Sequence, residues 1–295
     1  MKNILITGGS GLIGKRITQL LEQKGYEVAW LSRSPQSQKS FLWDVAKKQL
    51  DQESIEWADG IIHLAGAGVA DKRWTDDRKK EILDSRTHST QLLYDGIAKA
   101  VSKPDVFISA SAVGYYGFNT GTALVDETSK AGNDFLAQVV VAWENEVKKI
   151  EELHLRTVLL RIGIVLDAQG GALGEMLKPP VAAPLGKGDQ WMSWIHIEDL
   201  ANLFVYAVEK TTLQGIYNAV APSPATNYHL TKVAAKAKGK PFVGIGVPGF
   251  GLKLILGEMA AMVLGGNRVS AHKIQKAGFE FEFPVLEGAV KEIFS

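Results

Sequence analysis

The chain of 295 residues is predicted to form an α/β fold with a doubly wound parallel sheet and a smaller C-terminal lobe. Strand-like apolar runs alternate with helical segments through the first half of the sequence, a pattern typical of parallel strands joined by crossover helices. A glycine-rich turn joins the first strand to the first helix. Beyond Arg161 the alternation gives way to a stretch rich in glycine and proline, which indicates a second unit.

The first strand, over residues 2–6, leads into the run Thr-Gly-Gly-Ser-Gly-Leu-Ile-Gly at residues 7–14. A helical pattern then ends at Gly25, and a second strand follows over residues 27–31. Glycines at such a turn permit a pyrophosphate to approach backbone N–H groups at a helix N-terminus. The run therefore predicts a dinucleotide cradle, although an ordinary βα turn is the alternative. Its contributing residues are Gly8, Ser10, Gly11, Leu12, Ile13 and Gly14.

Further strands are predicted over residues 60–64, 105–109 and 156–161, and helices near 75–100 and 133–154. Thr75 followed by two aspartates is typical of a helix start. We therefore expect a cofactor domain over residues 1–165 with a returning segment near 190–220. The smaller lobe is expected to comprise residues 166–189 and 221–295.

Composition excludes several classes of protein. A net charge of +1 offers no basic surface for nucleic acid, and the apolar runs are strand-sized or interrupted by charge, which argues against membrane insertion. The sequence enters its first strand at once, leaving no room for a signal peptide. The absence of cysteine excludes a thiolate nucleophile and fits a cytoplasmic protein, and the 6 histidines lack ligand spacing, so we expect no metal.

The end of the second strand bears on the choice of nicotinamide cofactor. An acidic residue at this position binds the ribose 2′-OH of NAD, whereas a nearby arginine accommodates the 2′-phosphate of NADP. Here the chain reads Ser32-Arg33-Ser34, so NADP(H) is favoured over NAD(H), unless Arg33 is simply a solvated loop charge. Asp44 is a candidate partner for the adenine amino group, or alternatively a turn or helix-cap aspartate.

Several segments resemble the extended branch of the short-chain dehydrogenase/reductase superfamily, of the sugar-nucleotide epimerase/dehydratase type. They are the glycine-rich turn and residues 63–66, 109–117 and 194–201. A wider set of motifs resembles the atypical "epimerase family protein" group over nearly the whole chain. It includes residues 66–75, 84–86, 115–117, 170–173, 193–196, 221–222 with 226–227, and 256–258 with 267–269. The resemblance implies a Rossmann-type domain in which Leu64, Ala65 and Gly66 lie against the cofactor.

The superfamily's catalytic pair is missing from its expected place. The resemblance implies a Tyr-x-x-x-Lys pair on one helix face, where the lysine lowers the phenol pKa. Residues 135–143 contain neither tyrosine nor lysine. The formal matches Tyr206 with Lys210 and Tyr228 with Lys232 lie far from the cofactor helix and are interpreted as coincidences.

The candidate proton donors are hydroxyls that follow the fourth strand. Ser111 resembles the superfamily's substrate-hydroxyl serine or its neighbour, and we expect it to act with Tyr115 or Arg86. Tyr116 matches a tyrosine of relatives that keep the pair, which implies a structural role at the substrate side. Arg161 ends the fifth strand, and strand carboxyl ends face the ligand crevice, so we expect it beside the cofactor.

The substrate is a small molecule that the sequence does not identify. Where nucleotide-sugar enzymes usually carry a phosphate-binding arginine, this chain has Met192, so a nucleotide-diphosphate sugar is not favoured. Trp191 and Trp194 suggest an apolar or aromatic ligand, or else core packing. Arg73, Trp74 and Arg86 are candidate substrate anchors, with surface or salt-bridged charge as the alternative for each arginine. The chain is expected to be a monomer or homodimer.

Two functions remain open at this point. One is an NADP-dependent oxidoreductase or epimerase with an unusual proton donor. The other is a non-catalytic NADP-binding protein that senses redox state or docks a partner.

Overall fold

A computed structural model describes residues 1–34, 38–168 and 170–295. Its strands are β1 (Asn3–Thr7), β2 (Glu27–Ser32), β3 (Ser40–Asp44), β4 (Gln49–Leu50), β5 (Gly60–His63), β6 (Val106–Ala112), β7 (Asn119–Val125), β8 (Arg156–Ile162), β9 (Ile164–Leu166), β10 (Trp191–Met192), β11 (Trp194–His196), β12 (Gly215–Ala219), β13 (Ala225–Thr226) and β14 (Gly266–Val269).

The helices connect these strands. They are α1 (Leu12–Gln23), α2 (Gln52–Trp57), α3 (Asp76–Lys99), α4 (Phe135–Glu151), α5 (Gly171–Met176), α6 (Ile197–Glu209), α7 (Asn227–Ala237), α8 (Gly249–Leu256), α9 (Ala260–Leu264), α10 (His272–Lys276) and α11 (Leu286–Ile293). Short 3-10 helices span Val113–Tyr116 and Gly257–Met259. None of the helices in the described ranges has the length and apolar character needed to cross a membrane.

An 8-stranded sheet in the order β12-β8-β6-β5-β1-β2-β3-β4 forms the centre of the molecule. Its pairings are parallel except for that of β3 with β4. The chain leaves β1 in one direction toward β4 and later returns to the other side of β1 at β5. The carboxyl ends of β1 and β5 therefore flank a topological switch point, where ligands bind in open α/β sheets. The predicted doubly wound fold is confirmed.

The predicted helices near 75–100 and 133–154 correspond to α3 and α4, each of which begins at a polar cap. Thr75 accepts a hydrogen bond from the Arg78 N–H, and Asp134 accepts one from the Ala137 N–H. The fourth strand is longer than predicted, because β6 continues to Ala112. Ser111 is therefore part of the strand and does not follow it.

The smaller lobe has its own apolar cluster, in which Trp194, Leu173, Leu230 and Val290 are almost fully buried. Short strand pairs connect it to the main domain: β11 with β9, β10 with β13, and β14 with β7. Asp199 on α6 adds a polar link, since its carboxylate accepts the backbone N–H groups of Glu282 and Phe283 at 2.7 and 3.0 Å.

His63, at the end of β5, is completely buried at the centre of a hydrogen-bond chain. The Thr7 Oγ1 accepts the N–H groups of Leu64 and Ala65, so its own proton goes to His63 Nδ1 at 2.7 Å. The opposite nitrogen, Nε2, lies 3.1 Å from the Thr90 Oγ1 on α3. That hydroxyl already donates to the Arg86 carbonyl, so His63 Nε2 carries the proton and the imidazole is neutral.

Burial, with a smaller contribution from the Arg86 charge, lowers the pKa of His63 to about 3 from 6.5. Below pH 6.5 His63 therefore binds a proton in the unfolded chain but not in the folded chain. Stability consequently falls as the pH drops below that value.

We expect the free energy of unfolding to decrease by about 2 kcal/mol between pH 7 and pH 5 because of His63 alone. Urea titrations of the wild type and of His63→Gln at both pH values measure this contribution as the difference between their pH slopes. The exposed His88→Gln serves as the control and should keep the wild-type slope. If the pH slope of His63→Gln equals that of the wild type, His63 is not held neutral by the folded protein.

Candidate functional site

The glycine-rich turn lies at the switch point and is shaped by close backbone contacts. Gly8 has φ +70°, and a Cβ there would lie 3.2 Å from the Ala65 nitrogen, so the turn packs directly on the loop after β5. At Gly14 a Cβ would lie 2.5 Å from the Gly8 carbonyl oxygen, which keeps α1 close to β1. Two of the glycines are thus required by the fold itself.

Gly11 differs from these two, because its neighbourhood is open. A Cβ at Gly11 would meet only the Gly8 carbonyl oxygen, at 3.3 Å, and its φ of −74° is available to any residue. Gly11 is the N-cap of α1, and no side chain caps the helix. The first-turn N–H groups of Leu12, Ile13 and Gly14 therefore remain available to an anionic ligand. This arrangement fits a dinucleotide pyrophosphate.

The loop after β5 forms the facing wall. Leu64 and Ala65 are half-buried and Gly66 is exposed. The N–H groups of Leu64 and Ala65 donate to Thr7 and are therefore not available to a ligand. A ligand could contact only the side chains and carbonyl groups of these two residues. Arg86 on α3 lies directly behind this wall, with its guanidinium carbon 3.1 Å from where a Gly66 Cβ would be.

The end of β2 carries no carboxylate. Arg33 is exposed and forms no ion pair with any residue in the described ranges, while the Ser32 Oγ donates to the Ser34 carbonyl at 2.7 Å. Asp44 stands in a turn, where its Oδ1 accepts the N–H groups of Ala46 and Lys47 at 3.0 and 3.2 Å. The backbone hydrogen bond from Lys47 lowers the pKa of Asp44. This geometry favours the turn-cap interpretation of Asp44 over an adenine contact.

Ser111 and Arg161, which were expected at the cleft, are both buried in an ionic network. Arg161 forms a two-pronged pair with Glu144 of α4, with N–O distances of 2.8 Å on both prongs. The Ser111 Oγ donates to the same carboxylate at 2.6 Å. The hydrogen-bonded, charged pair raises the pKa of Arg161 against the cost of its burial. The Ser111 hydroxyl proton and the Arg161 N–H groups of these bonds are thus committed within the protein.

Tyr116 extends this network. Its hydroxyl donates to Asn218 Oδ1 at 2.7 Å and accepts from Arg161 at 3.1 Å. Burial raises the pKa of Tyr116 to about 12, against the opposing effect of Arg161. The Asn218 amide in turn donates to the carbonyl of Ser270, the residue after β14, at 3.1 Å. The interpretation of Tyr116 as structural is the one that the geometry favours.

Tyr115 is placed differently from Ser111 and Tyr116. Its ring is half-buried, and the Arg161 guanidinium carbon lies 3.4 Å from the ring centroid. Its hydroxyl makes no hydrogen bond to any residue that the structure describes. Of the three candidate hydroxyls, only that of Tyr115 is uncommitted within the described residues.

Glu144 is the residue that the sequence analysis missed. It lies among the buried positions of α4, four residues after Val140 and three before Val147. The sequence does place this carboxylate at helical spacing among apolar residues. Such a position indicates a buried carboxylate, which needs a buried cation or hydrogen-bond donors as partners.

The N-terminal part of α4, where the resemblance implies the Tyr-x-x-x-Lys pair, is occupied by an apolar cluster. Phe135, Leu136 and Val139 pack there with Trp74, whose ring centroid lies 5.0 Å from that of Phe135. Trp74 also donates to the Val69 carbonyl at 2.8 Å, and its expected contact with substrate stays a prediction. It is a core residue of this cluster.

The two formal Tyr-x-x-x-Lys matches have structural roles elsewhere. The Tyr206 hydroxyl donates to the Ala277 carbonyl at 2.7 Å, and Tyr228 packs edge-on against Phe242. Neither residue contacts the turn at Gly8–Gly14 or the network of Glu144.

The remaining expected substrate residues have different surroundings. Trp194 is fully buried and donates to the Ser223 carbonyl at 2.9 Å, a geometry that favours core packing, the alternative to a contact with substrate. Trp191 is half-buried, and Arg73 is exposed on the loop before α3. Arg86 donates to the Ala67 and Ile82 carbonyls at 3.0 Å, and its burial lowers its pKa to about 10.

Comparisons with known proteins agree with this architecture. The family model described as "NAD dependent epimerase/dehydratase family" matches residues 4–165, and a domain of unknown function, DUF1731, matches residues 247–293. Epimerase family protein SDR39U1 of Bos taurus is 36% identical over 99% of this chain and 99% of its own length. Epimerase family protein YfhF of Bacillus subtilis is 34% identical over 99% of this chain and 98% of its own length.

Solved structures give the same result. Human epimerase family protein SDR39U1 (isoform 2) with NADPH superposes with a TM-score of 0.88 and 34% identity, covering 99% of this chain and 98% of that one. MoeE5 in complex with UDP-glucose and NAD has a TM-score of 0.78 at 17% identity, over 99% of this chain and 97% of its own, a likeness of fold alone. The predicted resemblance is therefore confirmed, and the chain belongs to the NAD dependent epimerase/dehydratase family, among the epimerase family proteins of the SDR39U1 type.

Proposed function

We propose that this protein is an NADPH-dependent oxidoreductase that reduces the carbonyl group of a small molecule, with Tyr115 as the proton donor. The observation that carries the proposal is the open backbone at Gly11 in front of an uncapped helix N-terminus. Such a site has one use in a doubly wound fold, which is to hold the pyrophosphate of a dinucleotide. The human relative was solved with NADPH, which supports the same assignment.

The preference for NADPH rests on Arg33. The end of β2 offers a ligand an exposed guanidinium and no carboxylate, so the adenosine ribose would meet a donor that suits a 2′-phosphate. Arginine presents a planar set of N–H groups that matches phosphate oxygens. A ribose 2′-hydroxyl would gain less from the same group.

The chain's own contribution to the chemistry is positioning and proton transfer. NADPH, when bound, would supply a hydride to the carbonyl carbon of the substrate, and the carbonyl oxygen would need a proton from the protein. Arg161 holds the Tyr115 ring from one face, and Glu144 holds Arg161. The phenol therefore stands on a rigid support while its hydroxyl is uncommitted. Without a lysine partner, a phenol is a better acid than base at neutral pH, so we expect reduction to be favoured over oxidation.

A second candidate function is a non-catalytic NADP-binding protein that senses redox state or docks a partner. The apolar cluster of Phe135, Leu136 and Val139 on α4 favours it, because this cluster fills the place of the family's catalytic pair. A protein that binds the cofactor but catalyses no reaction would still bind it at the glycine-rich turn. Substitution of Tyr115 would then have no activity to change. In either case we propose a cytoplasmic monomer or homodimer with a small-molecule ligand.

We expect Arg33→Asp to reverse the cofactor preference. The wild type should bind NADPH more tightly than NADH, because Arg33 makes a charge-assisted contact worth about 1.5–3 kcal/mol, or roughly 10- to 100-fold in affinity. Fluorescence titration of both nucleotides measures the two dissociation constants. Lys291→Gln, which removes an exposed charge of the smaller lobe, should leave the ratio unchanged. Equal affinities of the wild type for NADPH and NADH would refute this assignment.

Gly11→Val should abolish nucleotide binding and leave the fold intact. The reason is steric exclusion of the pyrophosphate, since the backbone at Gly11 itself tolerates a side chain. Circular dichroism checks the fold, and titration with NADPH checks the binding. Gly170→Ala, at a loop position with open space around its Cβ, is the matched control. Wild-type affinity in Gly11→Val would mean that the cradle lies elsewhere.

Tyr115→Phe should lower kcat/KM by at least about tenfold in NADPH-dependent reduction. The assay follows the absorbance of the reduced nicotinamide with panels of aldehydes, ketones and quinones. Ser111→Ala should mainly reduce stability, by about 1.5–3 kcal/mol, because its hydroxyl bonds to a buried carboxylate. Tyr206→Phe should leave kcat/KM nearly unchanged. If no carbonyl compound is turned over although NADPH binds, the non-catalytic function is favoured.

A further inference from the structure

Arg268 on β14 is a half-buried arginine without a polar partner. Its guanidinium carbon lies 4.8 Å from the centroid of the Trp191 ring. Its Nε is buried and has no hydrogen-bond partner. The two terminal nitrogens form neither a hydrogen bond nor an ion pair with any residue of the described ranges. The side chain is thus held by an aromatic face, and its donors are unused.

Other arginines of the described ranges show how unusual this is. Arg161 is paired with Glu144, and Arg16 with Glu198. Arg156 donates to three backbone carbonyls, those of Ala207, Val208 and Leu213. The Nε of Arg78 is also unpartnered, but its terminal nitrogens contact Glu81 and Asp71. A sheltered guanidinium normally finds an acceptor in its own chain, and Arg268 does not.

The position of Arg268 relates it to the candidate active site. Its neighbour Asn267 donates to the carbonyls of Val113 and Gly117 at 3.3 and 2.6 Å. These two residues bracket the 3-10 turn that carries Tyr115. On the other side of β14, the Ser193 Oγ donates to the Asn267 carbonyl at 2.8 Å, which fixes the segment of Trp191. Strand β14 therefore contacts the turn of Tyr115 through Asn267 and also carries the unpartnered guanidinium of Arg268.

We propose that Arg268, whose guanidinium lies over the Trp191 ring, binds a carboxylate of the substrate. A guanidinium offers parallel N–H groups in one plane, and the two oxygens of a carboxylate match them. The contact with the Trp191 ring stabilises the cation without using any of its hydrogen-bond donors. The proposal rests on the proposed function in naming the ligand as substrate. It specifies the substrate class as a carbonyl compound that also carries a carboxylate.

The chain's departure from the nucleotide-sugar pattern fits this assignment. Met192 stands at about the place of the arginine that relatives use for a substrate phosphate. A single guanidinium next to that place, supported by an aromatic ring, suits a smaller ligand with one anionic group better than a diphosphate.

Binding is tested first without turnover. The probes are benzoate and its neutral analogue benzamide, added to the full-length protein with and without NADPH while thermal unfolding is followed. Saturating benzoate should raise the wild-type Tm by about 2 °C or more, and benzamide should not. Arg268→Gln should lose the shift, Arg268→Lys should keep only part of it, and Lys291→Gln should keep all of it.

Three outcomes would overturn the proposal: no benzoate shift in the wild type, an equal shift in Arg268→Gln, or stabilisation by phenyl phosphate alone. Circular dichroism and NADPH titration confirm that each variant is folded, and Arg268→Lys decides the matter if Arg268→Gln does not fold. Because benzoate binding needs neither NADPH nor turnover, a benzoate shift without NADPH binding would contradict only the proposed function.

The second measurement compares 4-carboxybenzaldehyde with its methyl ester as substrates. Arg268→Gln should raise KM at least about tenfold for the acid and leave KM for the ester unchanged, with little effect on kcat. A merely structural role would change both substrates alike. Equal changes in KM for acid and ester would therefore refute the carboxylate site.

Discussion

The buried pair of Arg161 and Glu144 is the interaction on which the rest of the candidate site depends. It joins the carboxyl end of β8 to α4, and each of its groups has a further partner, in β6 or in the 3-10 turn that follows it. A buried ion pair is costly to form, and it is tolerated only where hydrogen bonds satisfy the remaining donors and acceptors. Ser111 and Tyr116 provide them here. These two residues are thereby committed to supporting the site.

The same pair also joins α4 to the turn that carries Tyr115. Arg161 comes from the sheet and lies against the Tyr115 ring, and α4 contributes the carboxylate that anchors Arg161. The N-terminal part of α4 is apolar and packs against the loop of Trp74. One helix therefore contributes a buried charge near its middle and an apolar surface at its start.

The sequence was sufficient to predict the fold and the glycine-rich turn, because both are local. The turn at Gly8–Gly14, the cap at Thr75 and the apolar strands are short-range patterns whose meaning depends on neighbouring residues. Contacts between distant residues could not be predicted. Nothing near Ser111 and Arg161 in the sequence shows that Glu144, from another element, bonds to both. Trp194 was likewise ambiguous until its lobe was known.

Asp199 links the C-terminal module to α6, a helix that lies between the two matched modules. Burial raises the pKa of this carboxyl, and the N–H groups of Glu282 and Phe283 are the donors that offset the cost. The module matched over residues 247–293 thus supplies backbone donors to a helix outside it. Loss of this segment would leave the Asp199 carboxylate without those two donors. An exchange of the C-terminal segment between relatives must therefore preserve the backbone path at residues 282–283.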